Sequence, residues 1–143
     1  MNPATVANPS HGVVRLEIPA RAEWVAVARL AVAAVASRQR FSVDDIEDIK
    51  LAVAESCTNA IQHGTPDGTI AIVCEVSSEG IVLTVRDRGQ GPALSAVEEE
   101  RIGENGRTEE LGVFLIRALM DSVEYTSDVR DGTQLVMIKR VSE

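Results

Sequence analysis

The stretch from Asp45 to Gly64, DIEDIKLAVAESCTNAIQHG, constrains the fold more than any other part of the chain. Ser42 and Asp45 form an S-x-x-D pattern that predicts a helix N-terminus, and Gly64 is typical of the position just beyond a helix C-terminus. The pattern between these limits predicts one long helix with a buried stripe. The stripe consists of Ile46, Ile49, Val53, Cys57 and Ala60, and we expect Leu51, Ala54, Thr58 and Ile61 to widen it.

Three polar residues interrupt this apolar helix at a regular spacing. Glu55, Asn59 and His63 lie at i, i+4 and i+8, which places their side chains on one face. Each alone is explained as part of a solvated face, with His63 favoured by the negative end of the helix dipole. A carboxylate, an amide and an imidazole aligned on one face also indicate a functional site, because buried polar groups are costly unless they are satisfied.

Length and composition predict one domain with an aliphatic core. The chain has 143 residues, of which 45% are hydrophobic and only 3% aromatic. Its formal net charge of −8 argues against nucleic-acid binding through a general basic surface. Cys57 and Cys74 lie within apolar patterns, so we expect buried, reduced thiols that bind no metal.

The sequence predicts a cytoplasmic protein without a membrane segment. The longest weakly polar run, Trp24 to Ala36, is interrupted by Arg29 and is too short to cross a bilayer. Residues 1–12 lack the apolar core of a secretory signal, and we expect them to form a flexible arm ahead of a single domain at 13–143.

The order of predicted elements indicates an α+β fold. A strand is followed by two helices, two strands, a polar segment, a third helix and two final strands. The predicted boundaries are 14–18, 21–38, 45–63, 69–77, 81–86, 111–120, a strand beginning at 123 and a last strand at 135–139. We expect the first helix to bury Trp24, Val27, Ala28, Ala31 and Val35. This order predicts a two-layer α/β sandwich with helices on one face of a mixed, mostly antiparallel sheet.

Polar motifs follow the core elements at three further places. Asp87-x-Gly89-x-Gly91 ends a predicted strand, Gly112 begins a helix, and Gly132-Thr133 follows Asp131 at a hairpin. Each is common in turns and carries little information alone. About 20 residues without a core pattern separate the first two motifs, and loops of that length are often lids or binding loops.

Together these motifs resemble the GHKL (Bergerat-fold) ATP-binding superfamily, and most closely its bacterial anti-sigma-factor serine/threonine kinases. The resemblance extends from Arg15 to the C-terminus and includes nearly the whole chain. It depends on E-x-x-x-N-A-I-x-H-G from Glu55, D-R-G-Q-G from Asp87, L-G-V-F-L-I-R-A-L-M-D-S-V-E from Leu111, and D-G-T from Asp131.

The resemblance implies ATP and Mg²⁺ as cofactors and gives each motif a role. Glu55 is implied as the general base and Asn59 as a Mg²⁺ ligand, with Asp87 accepting a hydrogen bond from the adenine amine. Gly89 and Gly91 would let the backbone approach the base, and the N-terminus of the helix at Gly112 would bind phosphate. The implied nucleotide-binding residues are Asn59, His63, Asp87, Gly89, Gly91, Gly112, Val113, Phe114 and Thr133.

The same resemblance implies protein partners. Members of this branch hold a sigma factor and phosphorylate a serine of an anti-anti-sigma (STAS) antagonist, and they commonly form homodimers. No direct contact with nucleic acid or membrane is implied. Arg29, a lone charge within an apolar run, is the candidate for the partner face; a solvated position on an amphipathic helix explains it equally well.

One departure from the family pattern leaves an alternative open. The family's G-G-L-G run is replaced by Glu109-Glu110-Leu111-Gly112, which puts negative charge beside the expected triphosphate. The alternative is a catalytically weak or inactive nucleotide-binding module that captures a partner. The presence of Glu55 favours a kinase, because a pure binding module needs no base. A third possibility, the catalytic domain of a sensor histidine kinase, is disfavoured by the short lid.

Overall fold

A five-stranded sheet with helices on one face forms the described part of the chain, which covers residues 12–63, 68–87, 112–128 and 132–142 of a computed structural model. The strands are β1 (Val13–Pro19), β2 (Thr69–Ser77), β3 (Gly80–Asp87), β4 (Ser122–Asp128) and β5 (Gly132–Arg140). The helices are α1 (Val25–Ala36), preceded by a 3₁₀ turn (Ala22–Trp24), α2 (Val43–His63) and α3 (112–119). The predicted α+β two-layer architecture is confirmed.

The strand order is β1-β2-β3-β5-β4, and every pairing among these strands is antiparallel. The expected mixed character of the sheet is therefore corrected to antiparallel within the described strands. The reason is the connection between β1 and β2. Two consecutive helices, α1 and α2, return the chain to the end of the sheet that it left, so β2 runs back along β1 instead of parallel to it.

The core lies between the sheet and the helices. Alternate residues of the strands face inward, including Ile70 and Ile72 of β2, Leu83 of β3 and Met137 of β5, all fully buried. Burial of each such side chain stabilises the fold by roughly 1.5–3 kcal/mol. The sheet thus provides a fixed floor on which α2 lies.

The limits of α2 and its buried stripe agree with the sequence prediction. Asp45 N donates to Ser42 Oγ at 3.0 Å and Ser42 N donates to Asp45 Oδ2 at 3.4 Å, which completes the predicted capping box. Ile49, Val53 and Cys57 are fully buried. The expected widening was wrong at Leu51 and Thr58, which are exposed, because in a two-layer fold the outer side of a helix faces solvent.

The buried face of α1 agrees with the prediction at Ala28, and Ala31 and Val35 are partly buried, but the prediction was wrong at Trp24 and Val27. Trp24 and Val27 are each 40% exposed, whereas Ala28, Val32 and Ala36 are fully buried. This helix is apolar on nearly every side, so its periodicity does not select one face. Small side chains form the buried face because they permit close packing against its neighbours.

Both cysteines are buried and free, as predicted. Burial raises the pKa of the Cys57 thiol to about 12 and that of Cys74 to about 11, because a thiolate is poorly solvated there. Both thiols therefore stay protonated at neutral pH and have little nucleophilic reactivity. Among the described residues, no helix is long and apolar enough to cross a membrane.

Gly80 is expected to be sensitive to substitution. Its φ is +153°, and a Cβ there would collide with the carbonyl oxygen of Lys139 and lie 2.9 Å from Cα of Arg140. We expect Gly80→Ala to lower the free energy of unfolding by about 2–4 kcal/mol, from backbone strain and overpacking. Urea denaturation measures this. Gly12→Ala is the control, since its Cβ would meet nothing within 4 Å; equal stability of both variants would contradict the prediction.

Candidate active site

Two oxygen-bearing side chains of α2 converge on the first described residue of α3. Glu55 and Asn59 are one helical turn apart, so they share a face, and both are partly buried. A Cβ built on Gly112 would lie 3.8 Å from Oε1 of Glu55 and 3.8 Å from Oδ1 of Asn59. The carboxylate and the amide therefore face the first described turn of α3 across a short gap.

This arrangement combines groups that suit a phosphate with a bound cation. Carboxylate and amide oxygens are hard donors of the kind that Mg²⁺ takes in proteins. The N–H groups of a first helical turn bind anions, and Val113 and Phe114 belong to the first described turn of α3. The described residues contain no cluster of three acidic, His or Cys side chains. Mg²⁺ at phosphates usually takes one or two protein ligands and completes its shell with phosphate oxygens and water.

A pocket opens beside this gap, between α2 and the strands β3, β4 and β5. Asn59 belongs to its wall as well, so this residue is shared between the pocket and the convergence of oxygens described above. Its walls combine aliphatic side chains with a few polar groups. The lining residues are Ser56, Asn59, Ala60, Val85, Asp87, Tyr125, Thr133, Gln134 and Leu135.

Asp87 provides a buried carboxylate in this pocket. It ends β3, pairs with Ile70 of β2 across the sheet and is only 3% exposed. A carboxylate is an acceptor only, with room for several hydrogen bonds, so it is matched by an amino group of a ligand. Thr133 lines the same pocket from β5 and contributes a hydroxyl. The strand ends thus bring together two residues that are 46 positions apart in the sequence.

Sequence reasoning missed three polar residues of the pocket: Ser56, Tyr125 and Gln134. Ser56 is 3% exposed, and its Oγ donates to the carbonyl of Ala52 at 2.7 Å. It lies three residues before Asn59, so helical spacing could have identified it. Tyr125 and Gln134 lie on strands, and no local sequence signal indicates that these two residues line a pocket.

The remaining predicted site residues have different outcomes. His63 ends α2, but its side chain, Gly89 and Gly91 lie outside the described residues, as do Glu109 and Glu110. Arg29 is exposed on α1, and no described residue of α1 lines the pocket. The structure therefore brings together Glu55, Asn59, Asp87, Gly112 and Thr133 with the first turn of α3. It leaves Arg29 on a separate surface.

Comparison with known proteins identifies relatives of this chain. Residues 18–139 match the family of histidine kinase-like ATPase domains. The serine-protein kinases RsbW of Bacillus cereus strain Q1 and of Bacillus thuringiensis subsp. konkukian are each 37% identical over 141 residues. Each of these alignments covers 90% of this chain and 84% of the relative.

A solved structure has the same fold. The crystal structure of the RsbU and RsbW domains of Rv1364c from Mycobacterium tuberculosis superimposes with a TM-score of 0.68 at 20% identity. The match covers 92% of this chain and 33% of that longer protein, so it bears on the fold alone. Family match, sequence identity and coverage agree with the order of motifs in the chain. The protein belongs to the histidine kinase-like (GHKL) ATPase family, in the group of the RsbW serine-protein kinases.

Proposed function

We propose that this protein is an ATP-dependent protein serine kinase that also acts as an anti-sigma factor. The observation that carries the proposal is the convergence of Glu55 and Asn59 on Gly112, beside the pocket that contains Asp87. We assign the Glu55 carboxylate as the base, the Asn59 amide as the cation ligand and the first described turn of α3 as the phosphate-binding group. Phosphoryl transfer depends on this kind of positioning and charge stabilisation.

The nucleotide would extend from the pocket to the N-terminus of α3. Its adenine amine would donate to Asp87, with Thr133 alongside and Gly89 and Gly91 as further contacts that the family resemblance implies. Its phosphates would accept hydrogen bonds from the N–H groups of the first turn of α3, including those of Val113 and Phe114, with His63 nearby. Asn59 would hold Mg²⁺, which neutralises charge on the phosphates when bound.

Glu55 would serve as the general base. The hydroxyl oxygen of a protein serine forms a bond to the γ-phosphorus, and the bond from that phosphorus to the β–γ bridging oxygen breaks. The hydroxyl proton passes to the Glu55 carboxylate, and ADP leaves with the bridging oxygen. Glu55 is partly buried and faces the gap at Gly112, which suits a base that must reach the attacking hydroxyl.

The proposed partners are a sigma factor and an anti-anti-sigma protein of the STAS type. The protein would hold the sigma factor in its ATP-bound state and phosphorylate a serine of the antagonist, which releases the antagonist. We further propose a homodimer and assign Arg29, exposed on α1, to the partner face. Because these partners belong to the transcription machinery, the protein would work in the cytoplasm.

A partner-capture module without kinase turnover is the second candidate. The observation that favours it is the Glu109-Glu110 pair, where the family has glycines. Two carboxylates near a triphosphate weaken its binding by like-charge repulsion. Replacing both residues with glycine is expected to raise ATP affinity if this pair limits the site.

Calorimetric titration of the purified chain with ATP and ADP, with and without Mg²⁺, tests the proposal. Mg²⁺-dependent binding of ATP is the expected result, followed by transfer of labelled phosphate from ATP to a serine of a STAS protein. Binding without transfer would favour the partner-capture module. Absence of binding at millimolar nucleotide would refute the nucleotide site.

Gly112→Ala is expected to separate binding from stability. An added Cβ would lie at ordinary contact distance from Glu55 and Asn59, so the fold tolerates it, and alanine favours a helix by about 1 kcal/mol over glycine. The same methyl group occupies the gap in which the phosphate is proposed to bind. We therefore expect unchanged or higher thermal stability together with at least about tenfold weaker ATP binding, a loss of roughly 1.4 kcal/mol. Unchanged affinity would show that the gap is not a phosphate site.

A further inference from the structure

A partly buried lysine connects the C-terminal end of α3 to the N-terminal end of α2. Lys139 lies near the end of β5, pairs with Ile81 on the core face of the sheet, and its side chain is only 12% exposed. Its Nζ donates to the carbonyl oxygen of Leu119 at 2.7 Å. The same Nζ lies 3.6 Å from Oδ2 of Asp48 and 3.9 Å from Oδ1 of Asp45.

These contacts show that α3 runs antiparallel along α2. The N-terminal end of α3 faces Glu55 and Asn59, and its C-terminal end is joined through Lys139 to Asp45 and Asp48. At 1.5 Å per residue, α2 advances about 16 Å from Asp48 to Asn59 and α3 about 10 Å from its first to its last residue. α3 is thus shorter than the stretch of α2 beside it. The side chain of Lys139 spans the remaining distance, from the C-terminal end of α3 to Asp45 and Asp48.

The chemistry at this end suits a lysine. The last carbonyls of a helix have no partner within the helix and carry the negative end of its dipole, so a cation there is favourable. Asp45 and Asp48 offset the cost of burying the ammonium group. Asp45 also caps α2 through Ser42, which ties the lysine to the helix start. The ion cluster therefore connects α2, α3 and β5 at one point.

The C-terminal end of α3 is held firmly at its other contacts as well. Ile116 is fully buried and Met120 is 5% exposed, and Asp121 N donates to the carbonyl of Ile138 at 2.9 Å. In contrast, a Cβ built on Gly112 would have, among the described residues, only the oxygens of Glu55 and Asn59 within 4 Å, at ordinary van der Waals distance, so these two side chains leave room for the turn to move. The place of the N-terminal turn thus depends on how the C-terminal end is held.

We propose that Lys139 is a positioning residue for the phosphate site. By holding the last carbonyl of α3 against Asp45 and Asp48, it sets the distance of Gly112 from Glu55 and Asn59. Lys139 contacts the C-terminal end of α3, about 10 Å along the helix from Gly112, so it does not touch the nucleotide itself and acts through the helix. This inference rests on the proposed function, because it assumes that a nucleotide phosphate binds at the first turn of α3.

The test compares Lys139→Met with Lys50→Met in nucleotide titrations. Methionine keeps the unbranched apolar stem of the side chain, one atom shorter, but cannot donate a hydrogen bond to Leu119 O. We expect the affinity of Lys139→Met for ATP to fall about tenfold, the range seen when residues that orient a ligand are removed. ADP affinity should fall less, since the first turn of α3 faces Glu55, where the transferred phosphoryl group lies. Lys50 is the control because its ion pair with Glu47 lies on the surface of α2 and does not involve α3.

Two further measurements separate positioning from general stability. Lys139→Arg retains a charged donor and should recover most of the ATP affinity. Hydrogen exchange of the Met120 amide, which bonds to Ile116 O at 3.0 Å, should be faster in Lys139→Met without nucleotide. Should Lys139→Met not fold, Asp48→Asn removes one partner of the ammonium group and should produce a smaller effect of the same kind.

The possible results are distinguishable. Equal losses for ATP and ADP, or an unchanged ATP affinity, would overturn the inference while leaving the proposed function intact. A wild-type protein that binds neither nucleotide would overturn the proposed function, and the inference with it. A loss confined to ATP, rescued by arginine and absent from Lys50→Met, would support the positioning role.

Discussion

Replacement of Asn59 with alanine is expected to abolish Mg²⁺-dependent ATP binding. Oδ1 of Asn59 lies 3.8 Å from the Cβ position of Gly112, and the side chain also lines the pocket that contains Asp87. The substitution thus removes the proposed cation ligand. This ligand lies between the pocket proposed for adenine and the proposed phosphate site at Gly112. We expect a loss of at least about a hundredfold in affinity, or roughly 2.7 kcal/mol, measured by calorimetry with Mg-ATP.

Thr58→Ala is the matched control for this variant. Thr58 precedes Asn59 on α2 but is exposed, on the outer side of the helix. Both substitutions are expected to change the free energy of unfolding by less than about 1 kcal/mol, because neither residue belongs to the buried core. An Asn59→Ala protein that binds Mg-ATP as well as Thr58→Ala would show that the nucleotide assignment is wrong.

Replacement of Glu55 with alanine is expected to stop phosphoryl transfer and leave ATP binding nearly unchanged. The carboxylate faces the gap at Gly112 but does not line the adjacent pocket. We therefore expect it to contribute little to the binding of the adenine ring. Loss of a general base typically lowers a rate by about 10²–10⁴-fold. Single-turnover transfer of labelled phosphate to a serine of a STAS protein measures this loss.

Glu47→Ala is the control for Glu55. Glu47 lies on the same helix and pairs with Lys50 at 3.0 Å on the surface, where an ion pair contributes at most about 1 kcal/mol. Transfer at the wild-type rate in Glu55→Ala would exclude Glu55 as the base. Loss of ATP binding in this variant would instead indicate that the carboxylate helps to hold the cation or the fold.

The pair of variants also distinguishes the two candidate functions. A kinase loses transfer in both proteins but retains binding in Glu55→Ala. A partner-capture module shows no transfer even in the wild type, and only Asn59→Ala has a measurable effect. The two measurements therefore decide between the two candidate functions.

Local patterns predicted much of the fold correctly. The strand at Thr69–Ser77 has the predicted limits, and the capping box at Ser42 and Asp45 is present. Hydrogen bonds between residues three positions apart, and alternation of apolar residues along a strand, depend on neighbours in the sequence. Such features form in the same way whatever the rest of the chain contains.

The packing of α1 and the direction of the strands did not follow from local patterns. An alanine- and valine-rich helix offers several apolar faces, and only contact with α2 and the sheet selects Ala28, Val32 and Ala36 for burial. In the same way, the antiparallel pairing of β1 and β2 depends on two helices that lie between them. These features depend on the relative placement of whole elements.

The sequence by itself determined that Glu55 and Asn59 share a face of one helix, because 3.6 residues per turn brings positions i and i+4 together. Only the tertiary structure decided that Gly112 lies opposite them, that Asp87 and Thr133 share a pocket with Tyr125, and that Lys139 joins the far ends of α2 and α3. The physical reason is distance along the chain. Contacts between residues tens of positions apart arise when apolar faces of different elements are buried together. The pattern of a single segment therefore does not predict them.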